Sequence, residues 1–164
     1  MGRGILLSYA NATNLTRFEI DKQDVSNSAI RDAIASTCEL ITGSINIFNN
    51  HIKLRSFSGL GLKNITGDFS MMIVNMNKLG YFDLGYDYGY VNNYSTLIYG
   101  SINAFSDKYN MTLIRVYRYP NITGEVKNLK NLKKLYCLWL TGTQVTGFKA
   151  DLYNNGANII VFYI

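Results

Sequence analysis

The stretch LYCLWLTGTQVTG, residues 135–147, decides the fold of this chain. Its first half follows the spacing Leu-x-x-Leu-x-Leu, and a Val-Thr-Gly triplet closes it. The same apolar spacing begins at Leu15 and again at Leu79. Successive side chains of a strand point to opposite faces. The leucines are therefore predicted to point into a core, and the residues between them to point outward.

The closing triplet recurs along the chain. An Ile/Val-Thr/Tyr-Gly motif opens five segments, which are 41–45, 65–69, 98–102, 122–126 and 145–149. Their starts are 24, 33, 24 and 23 residues apart. A fixed period in this range indicates a solenoid, in which each repeat buries its apolar face only by stacking on its neighbours. The glycine permits a backbone turn that a Cβ atom would hinder.

These motifs resemble the leucine-rich-repeat family, with Thr143 where Asn or Cys is more usual. The repeated glycine is similar to the L-x-G-x-I turn of variants found in plant receptors and in some bacterial and phage proteins. The resemblance covers residues 15–164 and implies an α/β fold. We expect a short right-handed leucine-rich-repeat solenoid with a parallel concave β-sheet, a mostly irregular convex side and a helical N-terminal cap.

The 164 residues are predicted to form a single leucine-rich-repeat domain, residues 1–164. Residues 1–40 would form the N-terminal cap, with helical spacing over 28–40, and a divergent first repeat; residues 41–164 would hold the remaining repeats. The 33-residue interval contains a Tyr/Gly/Asn-rich insertion at 85–97. Within 52–62 and 111–119 the apolar residues are compatible with two strand registers.

Three surfaces are predicted to bind protein partners. The concave face would present the inter-leucine residues Tyr81, Asp83, Tyr136, Trp139 and Thr141. The insertion would present Tyr86, Tyr88, Tyr90 and Tyr94, because Tyr among Gly and Asn is the composition of binding loops; a neutral surface loop is the alternative. The apolar C-terminal strand would offer an unpaired assembly edge, or fold back into the core, and its candidate residues are Ile159, Val161 and Tyr163.

The residue types argue against an enzyme. His51 is the one histidine, it has no Cys or carboxylate at ligand spacing, and it is predicted to be solvent-exposed. Cys38 and Cys137 fall in different repeats and are predicted to be reduced. We therefore expect no catalytic residue, no metal site and no cofactor.

Charge gives a weaker indication. The net charge of +5 slightly favours acidic partners, or simply keeps the chain soluble. No recognised nucleic-acid motif accompanies the main basic concentration, so a solvated convex segment is the simpler interpretation and a nucleic-acid partner is not expected. That concentration comprises Arg115, Arg118, Lys127, Lys130, Lys133 and Lys134.

Location and function follow from these patterns as hypotheses. The apolar run near the N-terminus is too short for a signal peptide, and no stretch approaches a membrane span. We expect a virion or cytoplasmic location, without signal-peptide secretion and without a membrane partner. The leading hypothesis is a non-enzymatic structural or protein-interaction protein of a larger assembly, such as a bacteriophage head or tail accessory component, with capsid or tail proteins or its own copies as partners. The alternative is a soluble leucine-rich-repeat binding module, a bacterial effector or a phage anti-defence inhibitor, that uses its concave face.

Overall fold

The computed structural model of the protein describes residues 11–20, 41–59, 64–85, 97–153 and 159–164. Several sequence-based predictions therefore lie outside the described residues. These are the N-terminal cap with its helix over 28–40, Cys38, and the insertion tyrosines Tyr86, Tyr88, Tyr90 and Tyr94.

The described residues form short strands and shorter helices. In chain order the strands are β1 (Arg17–Ile20), β2 (Thr42–Ser44), β3 (Ser56–Gly59), β4 (Asn64–Asp68), β5 (Tyr81–Asp83), β6 (Ile98–Ser101), β7 (Leu113–Arg115), β8 (Ile122–Glu125), β9 (Cys137–Trp139), β10 (Gln144–Thr146) and β11 (Val161–Tyr163). Three 3₁₀ helices follow back-sheet strands, η1 (Ile45–Asn50), η2 (Ile102–Phe105) and η3 (Val126–Leu129), and the two α-helices are α1 (Phe69–Ile73) and α2 (Ala150–Tyr153).

The strands alternate between two parallel sheets. One has six strands in the order β1-β3-β5-β7-β9-β11, and we call it the concave sheet because the leucine spacing predicts it on that side. The other has five strands in the order β10-β8-β6-β4-β2, and we call it the back sheet. The back sheet is built from the Ile/Val-Thr/Tyr-Gly motifs. The sequence pattern predicted a turn at these motifs but did not predict that they would pair into a regular sheet.

One buried column runs through the concave sheet. The strand register aligns its central residues, which are Phe18, Phe57, Phe82, Ile114, Leu138 and the partly buried Phe162. Phe57 and Ile114 thus settle the register in the two segments where the sequence left it open. The ring centroids of Phe57 and Phe82 lie 5.5 Å apart and stacked.

A second set of phenylalanines reaches the core from the helices. Phe48 in η1, Phe69 in α1 and Phe105 in η2 are fully buried. The Phe69 and Phe105 rings stack at 5.7 Å, and Phe105 lies edge-on to Phe82 at 5.2 Å. These rings fill the space between the two sheets, and each buried aromatic side chain contributes about 1.5–3 kcal/mol of hydrophobic stabilisation.

The motif glycines fix the path of the back sheet. All five have φ between 116° and 136°, a range that L side chains rarely adopt. Neighbouring repeats also leave no room: a Cβ on Gly100 would lie 2.4 Å from Ser70 Oγ and 2.5 Å from Asp68 Oδ1. Glycine is thus required both by the backbone conformation and by the close approach of the preceding repeat.

Side chains tie successive back-sheet strands together. The Asp68 N–H donates to Asn46 Oδ1 at 3.0 Å, and the Ser101 N–H donates to Ser70 Oγ at 2.6 Å. The Glu125 N–H donates to Asn103 Oδ1 at 3.1 Å. Each bond joins one repeat to the next at the same position of the motif, and we call this row of bonds the polar ladder.

The polar ladder ends where its acceptor is missing. The next position in the series is Lys127, whose ammonium group has no acceptor atom. The Phe148 N–H, which would be its donor, bonds instead to Asp151 Oδ2 at 2.7 Å within its own repeat. A local side chain thus satisfies the backbone group that the neighbouring repeat leaves open.

The prediction that His51 is solvent-exposed is wrong. His51 is fully buried, and its ring lies edge-on to Phe48 at 5.2 Å. The equivalent residue in the related repeat is Lys108, which is also buried and whose Nζ donates to the Val74 carbonyl at 3.0 Å. The turn after η1 and η2 folds this position inward, because the His51 and Lys108 N–H groups bond back to the carbonyls of Phe48 and Phe105.

Candidate protein-binding surface on the concave sheet

The outward side chains of the concave sheet divide into a polar and an aromatic group. The register aligns one outward residue from each of five neighbouring strands, and these are Ser58, Asp83, Arg115, Trp139 and Tyr163. The first three are polar or charged and the last two are aromatic. The two groups have different exposure and different chemistry.

The polar group is organised around a buried carboxylate. Asp83 is fully buried, and Arg115 contacts it with both Nε, at 2.8 Å from Oδ1, and Nη2, which bonds Oδ2. The Gly85 N–H donates to Oδ1 at 2.8 Å, and the Tyr81 hydroxyl donates to Oδ2 at 3.2 Å. Burial disfavours the charged guanidinium, but the hydrogen bond and the charge of Asp83 outweigh this effect and raise the pKa of Arg115. The Asp83 carboxylate is thus occupied by donors of the protein itself.

The aromatic group forms a continuous column. Tyr117 stacks on Trp139 with ring centroids 4.9 Å apart and planes 21° apart. Trp139 contacts Tyr163 at 4.9 Å and 42°. Tyr117 is nearly buried, Trp139 is partly exposed and Tyr163 is 53% exposed. We call these three residues the aromatic column. It covers the outward surface of β9 and β11.

A strained residue places the first ring of the column. Arg118 has φ of 66°, and the equivalent position in the next repeat is Gly142 with φ of 79°. The Arg118 N–H donates to the Thr141 carbonyl at 2.8 Å. The guanidinium lies 5.7 Å from the Tyr117 ring centroid. A left-handed conformation at a residue other than glycine costs about 1–2 kcal/mol. Tyr117, before it, lies on the concave side, and Tyr119, after it, belongs to the core.

The structure places the predicted concave residues unevenly. Trp139 points outward as the alternation requires, and Thr141 is exposed just after β9. Tyr136 is 43% exposed one residue before β9, where its carbonyl accepts from the Ile160 and Val161 N–H groups. Tyr81 is half-buried beside Asp83. The prediction that Asp83 is displayed to a partner needs correction, because its ion pair with Arg115 buries it.

The C-terminal strand also differs from its prediction in part. Ile159 is 4% exposed and belongs to the core, because it occupies the position that Leu135 fills in the preceding repeat. It is therefore not an edge residue. Val161 is partly exposed, Tyr163 is exposed, and Ile160 is 71% exposed. Val161 and Tyr163 bond to the β9 side, so the Phe162 N–H and C=O face the other side of β11. No strand within the described residues pairs there, and we call it the open side of β11.

Two residues of this surface were not singled out as concave by sequence reasoning. Arg115 was assigned to a solvated convex segment, yet it lies on β7 against Asp83. Tyr117 lies two residues after Arg115, so strand alternation alone could have found it once the register was known. The four lysines of that segment are exposed, as expected.

Within the described ranges, no group of three or more His, Cys, Asp or Glu side chains could hold a metal ion. No helix in that part of the chain is long and apolar enough to cross a membrane. Cys137 is a buried free thiol on the concave sheet, and burial raises its pKa.

The chain is a solenoid in which each repeat contributes one short strand to each of two parallel sheets. A leucine-type strand and a motif glycine recur in its repeats. Solved structures identify the type. The leucine-rich-repeat ectodomain of the plant membrane receptor kinase GASSHO1/SCHENGEN3 from Arabidopsis thaliana, in complex with CASPARIAN STRIP INTEGRITY FACTOR 2, matches with a TM-score of 0.67 and 17% identity, over 98% of this chain and 16% of that one. Internalin C2 from Listeria monocytogenes matches with a TM-score of 0.55 and 18% identity, over 97% of this chain and 66% of that one.

The chain has the leucine-rich-repeat fold, as the sequence motifs predicted. It spans 16% and 66% of the lengths of these two proteins. No family model and no curated protein matches the sequence. The fold is typical of protein-interaction modules, because a solenoid presents an extended surface on a scaffold of stacked repeats.

Proposed function

We propose that the chain is a non-enzymatic protein-interaction module whose concave sheet binds a protein partner through the aromatic column. The observation that supports this proposal is the stacking of Trp139 between Tyr117 and Tyr163 on the outward face. Aromatic side chains that are partly exposed on a rigid surface are the usual centres of binding energy at protein interfaces.

The neighbouring residues fit a binding surface of this kind. Tyr136 and Thr141 are exposed on either side of β9 and would form a polar rim. The Asp83–Arg115 pair would not contact the partner, because its hydrogen-bonding groups are used within the fold. The partner is therefore expected to contact the C-terminal half of the concave sheet.

The experiment begins with a photo-crosslinking amino acid at Thr141, compared with the same group at Phe148, which is 76% exposed beyond the back sheet. A partner captured from the native source at Thr141 and not at Phe148 would then be purified. Trp139→Ala should weaken its binding by about 2 kcal/mol or more, the usual threshold of a hot spot. Phe148→Ala is the matched control and should leave the affinity unchanged. Equal affinity of the Trp139→Ala variant would refute the concave site.

A second candidate function is assembly through the open side of β11. Ile160, Tyr163 and Ile164 are exposed there, and exposed apolar strands recruit further strands. Ile160→Lys should shift sedimentation from an oligomer to a monomer without a loss of stability, because this side chain has few contacts to lose. A monomeric wild-type protein would contradict assembly of copies through this edge. Nothing in the similar structures favours the narrower hypothesis of a bacteriophage virion component over a soluble effector or inhibitor.

A further inference from the structure

The five described turns that lead into concave strands have the same backbone hydrogen bond. In each, an apolar residue donates its N–H to the carbonyl three residues earlier, and the pairs are Leu15 to Ala12, Leu54 to His51, Leu79 to Met76, Met111 to Lys108 and Leu135 to Leu132. We call this row of turns the turn flank, and it comprises residues 12–16, 51–55, 76–80, 108–112 and 132–136. The strands that follow are in register. Equivalent residues of neighbouring turns therefore lie about 5 Å apart.

The turn flank is basic. No aspartate or glutamate occurs in its segments, which contain Lys53, Arg55, Lys78, Lys108, Lys133 and Lys134. All of these cations except Lys108 are exposed. Asp107, directly before one segment, already pairs with Lys108 at 2.9 Å. The exposed cations of the turn flank thus have no carboxylate in its own segments.

Lysine and asparagine share one column of this surface. Asn14, Lys53, Lys78, Asn110 and Lys134 each lie three residues before the first paired residue of their strand. Lys53 Nζ donates to Asn14 Oδ1 at 2.7 Å, and Lys134 Nζ donates to Asn110 Oδ1 at 3.1 Å. These bonds orient two ammonium groups without neutralising them. Like charges at equivalent positions of adjacent strands repel, and an anion bound near Lys53 and Lys78 would relieve this repulsion.

A recess near the end of the column has the donors that a carboxylate requires. It has a volume of about 410 Å³ and is lined by Tyr109, Asn110, Asn131, Lys133 and Lys134. Its lining provides two ammonium groups, two amides and a phenol. Hydrogen bonds from charged donors to a carboxylate are about twice as strong as neutral ones.

We propose that the turn flank binds an acidic segment of a protein partner, with carboxylates at the lysine column and in the recess. The aliphatic Ile52, which is 55% exposed beside Lys53, favours a protein over a nucleic acid, because a peptide can pack an apolar side chain against it. A phosphate backbone offers no contact to Ile52. Of the exposed cations here, only Arg55 can form the two-pronged contact typical of phosphate recognition. This surface lies beside the concave sheet and is independent of the aromatic column.

The test compares two charge-reversal variants of equal net charge. Lys78→Glu/Lys134→Glu changes the turn flank, and Lys127→Glu/Lys149→Glu changes two lysines beyond the back-sheet strands. The probes are a labelled peptide rich in glutamate and leucine, and an oligothymidylate of the same net charge. Fluorescence anisotropy at moderate salt gives the dissociation constants, and thermal melting checks that each variant is folded.

We expect the flank variant to bind the peptide about tenfold more weakly and the control variant less than about twofold, because local rather than net charge governs such contacts. Equal weakening in both variants would overturn the proposal. Tighter binding of the oligothymidylate than of the peptide, lost in the flank variant, would also overturn it and assign the surface to nucleic acid. If Lys78→Glu/Lys134→Glu fails to fold, Lys78→Gln/Lys134→Gln replaces it. The same results would support or overturn the proposal, with a smaller expected loss of peptide affinity.

Discussion

The two sheets of this solenoid differ in how similar their successive strands are. In the back sheet, successive strands share one short motif and one glycine conformation, and cross-repeat bonds join the first four motifs. In the concave sheet, only the inward residues are similar, whereas the outward ones change from Ser58 to Asp83, Arg115, Trp139 and Tyr163. The back sheet holds the repeats together by bonds and glycines that recur at the same motif positions, apart from the missing bond at Lys127. The concave sheet is thereby free to vary its outward residues, with one exception at Asp83.

That exception gives the largest expected effect. Asp83→Ala would leave the Arg115 guanidinium, the Gly85 N–H and the Tyr81 hydroxyl without their common acceptor. Removing one member of a buried ion pair costs about 3–5 kcal/mol. Urea unfolding should show a loss of free energy of unfolding in this range. Glu125→Ala, which breaks the exposed pair with Lys127, should cost only about 0–1 kcal/mol. Similar losses in the two variants would mean that Asp83 is no exception.

The back sheet should be sensitive at its glycines. Gly100→Ala places a Cβ atom against Ser70 and Asp68 and imposes a φ that alanine disfavours. The combined strain and overpacking should cost about 2–4 kcal/mol. Tyr99→Ala, at the exposed neighbour in β6, is the control and should cost at most about 1 kcal/mol. If both variants melt at the wild-type temperature, the back sheet is not the rigid part of the molecule.

The polar ladder gives the smallest of the three effects. Asn103→Ala removes the acceptor of the Glu125 N–H and should cost about 0.5–1.5 kcal/mol. Lys127→Ala changes the same position of the next repeat, where Asp151 already satisfies the backbone, and should have almost no effect. Chemical denaturation of the pair checks the comparison. If Lys127→Ala lowered the free energy of unfolding equally, the loss in Asn103→Ala would not be due to its ladder bond.

Interactions within one repeat could be predicted from the sequence, and interactions between distant repeats could not. The Leu138 and Leu140 spacing and the motif glycines act within one repeat, so the sequence indicates the fold and the outward direction of Trp139. The back sheet was not predicted, because its strands of three to five residues are too short to show a clear alternation. The burial of His51 was not predicted either. Its contact with Phe48 depends on a turn whose polar residues are typical of a surface loop.

The binding surface was predicted less completely because its residues interact across repeats. Asp83 and Arg115 are 32 residues apart, and their pairing depends on a register that spans the insertion. Arg118, between Tyr117 and the buried Tyr119, adopts a left-handed conformation for which glycine is the usual signal. A sequence pattern shows neither the Asp83–Arg115 pairing nor the conformation of Arg118. The concave assignment of Trp139 and Thr141 follows from local alternation, and the aromatic column follows from the structure.

Because the Phe148 N–H bonds to Asp151, the last described back-sheet repeat lacks the polar-ladder bond to the repeat before it. In a repeat protein, resistance to local opening depends on such contacts between neighbours. Amide hydrogen exchange should therefore begin in this repeat and advance inward. Because β9 and β11 belong to the same end of the solenoid, the first part of the molecule to open would be the part that presents Trp139 and Tyr163. Occupation of that surface would slow its exchange before it slowed that of the remaining repeats.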